Sequence, residues 1–219
     1  MHNFVGMAVL YIVPLLFAVI LHEVSHGWVA EKLGDPTARL LGRITLNPIV
    51  HIDLVGTIIL PGILLLTGSP FLFGWAKPVP VNFGNLRGGR KDMALVALSG
   101  PLSNFILASI SSALFHFTFS RIIDPTGIGG YWYQYLQEPV RQMALISIQF
   151  NLVLMVINLL PIPPLDGGRV LVGLLPLRMA LALEQLERFG MLIVLLLIGS
   201  GMWSYIVNPV ITLFMRFLL

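Results

Sequence analysis

The sequence predicts an all-α polytopic membrane protein with a small β-sheet element. About four full transmembrane helices are expected, plus one re-entrant or partly inserted segment (five to six spans possible). Three observations lead there. Of the 219 residues, 57% are hydrophobic and only 11% are charged, whereas soluble domains carry about 25% charged residues. The apolar residues gather into runs long enough to cross ~30 Å of hydrocarbon. Two short stretches between the first two long runs alternate apolar and polar residues, a period of two. Residues 1–219 read as a single membrane-embedded domain.

The first run extends from Phe4 to Leu33, with Pro14 as a candidate kink and Gly34-Asp35-Pro36 as its stop. The start, Met1-His2-Asn3, has no basic n-region and no small-residue cleavage site follows, so this span is expected to be retained. Residues 38–92 hold the strands and the short segment. Arg43, Thr45 and Asn47 alternate with Ile44 and Leu46; Val79, Val81 and Phe83 alternate with Pro80 and Asn82. Both read as short strands paired in one small sheet. Between them, Leu54 to Gly68 is apolar, broken by Pro61-Gly62, and shorter than the ~20 residues a crossing helix needs. A second long span is expected over 93–120. A third lies within 142–168, apolar from Gln142 to Leu160. A terminal one covers 189–219 and runs past Asn208-Pro209. Met179 to Arg188 is amphipathic and suits a position along the surface. Trp28, Trp75, Tyr131, Trp132, Tyr133 and Tyr135 suit interfacial anchoring.

Charge sets the expected topology. If Leu54–Gly68 dips in and returns, Lys32, Arg39, Arg43, Lys77, Arg87, Arg90, Lys91, Arg169, Arg178 and Arg188 share one side. Arg121 and Arg141 face the other, with Arg216 at the far end of the last span. By the positive-inside bias the basic side is cytoplasmic and the amino terminus is outside. The net charge of +3 is small and spread over loops, which argues against a nucleic-acid surface. There are no cysteines, so disulfides and thiolate metal sites are excluded.

Inside the first span lies Leu21-His22-Glu23-Val24-Ser25-His26, the pattern H-E-x-x-H. On a helix turning ~100° per residue, His22 and His26 point to nearly the same side, one turn apart, and can share a metal ion. Glu23 adjoins the first of them, within reach of a water on that metal, as in zinc peptidases. A hydrolytic zinc keeps a third protein ligand and one open position. Asn158-Leu159-Leu160-Pro161-Ile162-Pro163-Pro164-Leu165-Asp166-Gly167-Gly168 supplies a candidate. Its prolines stop a helix, and non-helical backbone at membrane depth belongs in protein or beside a wet cavity. An ionisable Asp166 there is a candidate third ligand. The competing role for Asp166 is to cap the helix that begins at Gly167.

The two motifs, H-E-x-x-H in the first core span and N-x-x-P-x-P-x-L-D-G in a later one, resemble the site-2 protease family of intramembrane zinc metalloproteases. The second is matched at Asn158, Pro161, Pro163, Leu165, Asp166 and Gly167. Gly100-Pro101-Leu102-Ser103-Asn104 resembles a third family element. The resemblance covers the chain from about Val19 to Arg169, in a minimal form with no PDZ or nucleotide-binding domain. It implies one Zn²⁺ per chain on His22, His26 and Asp166, with Glu23 as the catalytic carboxylate. It also implies a helper role for Asn158 toward substrate or oxyanion. The substrate it implies is a transmembrane protein, cut within or near its span. The location it implies is the cell membrane of a prokaryote, with the active site toward the cytoplasmic side.

Other residues carry weaker signals. Ser147, Asn151 and Asn158 fall within about 40° on one helix face, a stripe that ordinary interhelical hydrogen bonding explains for the first two. Asn104 is a candidate support for the site. His51 suits an interfacial hydrogen bond or a gate, and His116 a structural role. The expected strands offer an edge on which an unwound substrate could pair. Two other classes compete with this reading. A zinc protease of the prenyl-protein-processing type would need a late Glu ligand, and only Glu184 and Glu187 offer one. A metal-binding channel or transporter would use Glu23 merely as a ligand.

Overall fold

A run of apolar residues, broken by polar side chains only from His22 onward and carrying Pro14 inside it, forms the 30-residue helix α1 (Phe4–Leu33). The computed structural model describes residues 4–68, 74–120 and 137–219. The proposed anchors Tyr131, Trp132, Tyr133 and Tyr135, and Arg121, lie outside the described residues. Helix α1 ends where Gly34 takes a left-handed backbone (φ 118°). The next residue does more than stop the helix. Asp35 is fully buried. Its carboxylate accepts from the Thr37 N–H and hydroxyl, from Asn82 N–H at 2.7 Å and from Asn85 Nδ2 at 2.8 Å. It ties the end of α1 to a loop nearly fifty residues downstream.

Beyond it come α2 (Thr37–Leu40), a 3₁₀ turn over Pro48–His51, a π-helical turn over Leu54–Ile59 and α3 (Leu60–Leu66). A 3₁₀ turn over Phe83–Asn85 leads into the 31-residue α4 (Arg90–Ser120). Then follow α5 (Glu138–Asn158), α6 (Asp166–Leu174), α7 (Leu177–Gln185), α8 (Glu187–Gly199) and α9 (Met202–Leu218).

The expected β-sheet is absent: the described residues contain no strand. The segments that carry the two alternating stretches do meet, but through isolated contacts rather than a ladder. Arg43 Nη2 donates to Lys77 O at 2.8 Å, and Lys77 N–H donates to His51 O at 2.9 Å. Residues 75–82 run extended without a ladder. Pro78 and Pro80 have no N–H to give, and the Val79 N–H goes to the Glu23 side chain at 2.7 Å. The period of two came from an extended strap half-buried on a helix. The edge on which a substrate was expected to pair is therefore missing as well.

The span count also needs correction. Three described helices are long and apolar enough to cross a membrane: Val9–Leu33, Arg90–Thr118 and Glu138–Asn158. The terminal stretch is not one continuous helix. It breaks between α8 and α9 at Gly201, which is left-handed (φ 74°), and the two pieces have 13 and 17 residues. The Leu54–Leu66 region is likewise shorter than the ~20 residues of a spanning helix. In the three long helices between 28% and 39% of the most apolar window is buried within the protein. The remainder is partly or fully exposed, as lipid contact requires.

Helix α4 is the centre of the bundle. Near one end Met93 and Val96 pack with Ala30, Leu86, Val172 and Ala180. Near the other Ala108 packs with Ile148, Leu152, Met155, Val156, Val207 and Leu218. Between these two cores α4 carries Gly100 and Asn104.

Burial would push the Asp35 carboxyl up, but hydrogen bonds from Thr37, Asn85 and Asn82 outweigh it and hold it below the usual carboxylate range. Its stabilisation is therefore present above the unfolded value, roughly 3.9, and is lost as pH falls through the lower folded value. Asp35→Ala should cost on the order of 3 kcal/mol at pH 7, because several donors lose their acceptor together. Thermal unfolding in detergent should show the gap to wild type narrowing only below about pH 4.

Candidate metal centre

His22 and His26 both turn toward α4, and α4 decides which ring nitrogen holds the proton. His26 Nδ1 lies 2.8 Å from the carbonyl oxygen of Val96. A carbonyl can only accept, so His26 Nδ1 carries the hydrogen. His22 Nδ1 lies 2.6 Å from Asn104 Oδ1. Asn104 Nδ2 donates to Ala18 O at 3.1 Å and to Asn151 Oδ1 at 2.9 Å. Asn151 Nδ2 in turn donates to Ser147 O at 2.8 Å. Two backbone carbonyls thus orient both amides, and the Asn104 oxygen must face His22 as an acceptor. His22 Nδ1 is the donor. In each neutral ring the lone pair is then on Nε2, facing the other ring and Asp166.

These two Nε2 atoms are 3.1 Å apart, and Asp166 Oδ2 lies 3.2 Å and 3.3 Å from them. Asp166 Oδ2 is buried and has no hydrogen-bond donor. Three lone pairs at this spacing repel unless a cation sits among them. A tetrahedral ion with bonds of about 2.0–2.1 Å holds its ligand atoms roughly 3.3 Å apart. The donor set, the protonation pattern and the spacing all fit zinc, and His22, His26 and Asp166 could hold one ion.

Asp166 arrives from the other half of the chain. It is the first residue of α6, and the capping position before it is Leu165, in extended backbone. The Asp166 carboxylate makes no cap bond to this helix, so helix capping does not account for it. The turn over residues 159–165 folds back so tightly that a Cβ on Gly167 would lie 2.3 Å from Leu159 O. That explains the glycine after the aspartate. Arg90 fixes the far end of α6 by donating to Val172 O and Leu175 O.

From sequence, Gly100 stands out only as part of the Gly100–Asn104 element. A Cβ there would lie 2.5 Å from His26 Nε2 and 2.7 Å from His22 Cε1, so both imidazoles rest on its bare Cα. Asn151, read from sequence as packing, belongs to the chain that orients Asn104. Val96 contributes through its carbonyl, which no side-chain pattern reports. Glu23 stands beside His22, its Oε2 on the Val79 N–H. Asn158 ends α5, and its Nδ2 donates to Leu154 O at 2.9 Å. His51 is buried, with Nε2 on Thr45 O, and His116 Nε2 donates to Leu218 O.

Comparison with known proteins points to the same metal. Residues 122–199 match Peptidase family M50. A protein of Bacillus subtilis (strain 168) named "Putative zinc metalloprotease YwhC" is 37% identical over 200 residues, which are 91% of this chain and 84% of that protein. One of Mycolicibacterium smegmatis named "Putative zinc metalloprotease Rip2" is 27% identical over 90% of this chain and 69% of its own length. A Rip2 of Mycobacterium tuberculosis (strain ATCC 25618 / H37Rv) is 29% identical over 89% of this chain and 68% of its own. No solved structure matches the chain.

Two predictions follow from the seating of the rings. Gly100→Ala should leave the helical fold intact by circular dichroism while zinc content, by elemental analysis, falls well below one ion per chain. Asn104→Ala frees the His22 tautomer and should weaken zinc binding about 10–100-fold in a chelator competition.

Proposed function

The chain belongs to peptidase family M50, the site-2 protease family of zinc metalloproteases, and from that premise we propose that it cuts transmembrane proteins within the bilayer. The single observation that supports this most is the convergence of the two Nε2 atoms and Asp166 Oδ2. It occurs near the middle of the apolar span Val9–Leu33. His22 is roughly 17 Å from the end of that span at 1.5 Å per residue. Peptide bonds that reach it come from segments that are themselves in the membrane.

In this reading His22, His26 and Asp166 hold the zinc, which when bound supplies a Lewis acid and lets water ionise near neutral pH. Glu23 takes the proton of the attacking water and passes it to the leaving amine. One water is consumed, the C–N bond breaks, and a carboxylic acid and an amine leave. Asn158 has one Nδ2 hydrogen and its Oδ1 beyond the bond to Leu154 O, and these position the substrate peptide. A substrate helix must be unwound first, because its carbonyls are engaged in its own backbone ladder. The clustering of basic residues from Lys32 to Lys91 and from Arg169 to Arg188 supports a cytoplasmic-facing site, and the bacterial relatives support a prokaryotic cell membrane.

The test uses purified protein in proteoliposomes with a single-span membrane substrate. Wild type should hold one zinc and cleave. Glu23→Gln should hold the same zinc and cleave at least about 100-fold more slowly. Equal cleavage by both forms would remove Glu23 from the mechanism.

A further inference from the structure

The strap over residues 75–82 carries a sequence whose chemistry is unusually restricted: Lys77-Pro78-Val79-Pro80. Neither proline has an N–H, so Val79 owns the one backbone donor between residues 78 and 80. Pro80 also confines Val79 to extended backbone, which fixes the direction in which that N–H points. It points at the carboxylate of Glu23, with Val79 N to Glu23 Oε2 at 2.7 Å. The Val79 side chain is seated on the same helix one turn further on. A Cβ on Gly27 would lie 2.9 Å from Val79 Cγ1, so the missing side chain at 27 makes the seat.

The strap is pinned on either side of this contact. Lys77 N–H donates to the carbonyl of His51, and Arg43 Nη2 donates to the carbonyl of Lys77. Asn82 N–H donates to the buried Asp35. His51 is itself buried and held through Nε2 at the Thr45 carbonyl. Four main-chain points between 77 and 82 are thus tied to protein, and the one between the prolines is spent on Glu23.

From this placement we infer that Val79 is a positioning residue whose backbone N–H holds the Glu23 carboxylate in its working orientation. This rests on the reading of Glu23 as the proton-transferring group. A main-chain donor suits the task, because a charge-assisted bond from fixed backbone restrains a flexible carboxylate more tightly than another flexible side chain would. One Glu23 oxygen is committed to the strap and the other remains for the reaction. The bond also explains why two prolines flank the donor: they leave no second N–H to compete, and they stiffen the strap that carries it.

The first measurement needs no activity. Because residues 78 and 80 have no amide hydrogen, deuterium uptake in that tripeptide reports Val79 alone. Uptake should be slow in the zinc-loaded wild type, at least tenfold faster in Glu23→Ala, and intermediate in Glu23→Gln, which keeps an acceptor. Equal protection in wild type and Glu23→Ala overturns the inference. The second measurement is kinetic, on a single-span substrate in proteoliposomes. Val79→Pro removes the donor and should lower kcat about 10–100-fold, with zinc content kept and KM within about twofold. Val79→Ala keeps the donor and should lose less than about threefold, the expected rescue by a conservative change. In a Glu23→Asp background, whose carboxylate is withdrawn by one methylene, Val79→Pro should cost little more. Wild-type kcat in zinc-loaded Val79→Pro, or an equal loss in Val79→Ala, overturns the inference. If Val79→Pro does not fold, the exchange experiment decides. A wild type that does not cleave at all would instead remove the protease reading and leave the exchange result standing on its own.

Discussion

Where the protons sit on two imidazoles governs what this site can be. Had His22 or His26 carried its hydrogen on Nε2, the convergence with Asp166 would be a hydrogen-bonded cluster needing no ion. The surrounding protein places the hydrogen of each neutral ring on Nδ1 instead. The carbonyls of Val96, Ala18 and Ser147 are acceptors that cannot change sign. Through Asn104 and Asn151 they propagate that sign to His22. A set of neutral dipoles inside an apolar bundle thus specifies a cation site, without a charged residue beyond Asp166 among its ligands.

Such a chain works only if its members are held still, and the bundle is arranged for that. Asn104 and Asn151 are among the most deeply buried side chains in the protein. Helix α4 lies between two hydrophobic cores and presents Gly100 and Asn104 to α1 in the gap. The other half of the site is held to the same helix. A Cβ on Gly173 would lie 2.6 Å from Ala94 Cβ, and Arg90 closes the carbonyl end of α6. Histidines and aspartate, far apart in sequence, therefore share one scaffold helix, and their spacing follows from packing on it.

Much of this was legible from residue types. His22, Glu23 and His26 announce themselves by spacing on a helix. Asp166 stands out because three prolines make the backbone before it non-helical. Long apolar runs locate α1, α4 and α5 to within a few residues. What misled was periodicity without its cause. Alternation at 43–47 and 79–83 has the pattern of a sheet, yet any extended segment lying on a helix alternates in the same way. The prolines at 78 and 80 were the countersignal, since they remove the ladder donors a strand needs. At 189–219 hydropathy alone concealed the break at Gly201, where a left-handed turn costs glycine nothing. The main-chain contributions of Val96 and Val79 have no signature in side-chain identity. The part played by Asn151 depends on which way Asn104 is turned, and only coordinates carry that.

The histidines are braced by their Nδ1 atoms, on the side away from the cluster, and Asp166 is placed by the glycine-rich turn and by Arg90. None of those braces passes through the ion. In small zinc domains the metal is the fold's main fastener, and assembly waits for it. Here the cradle is finished by lipid-facing helices packing on one another. The geometry that seats the three ligands is therefore encoded in helix packing rather than in the ion itself.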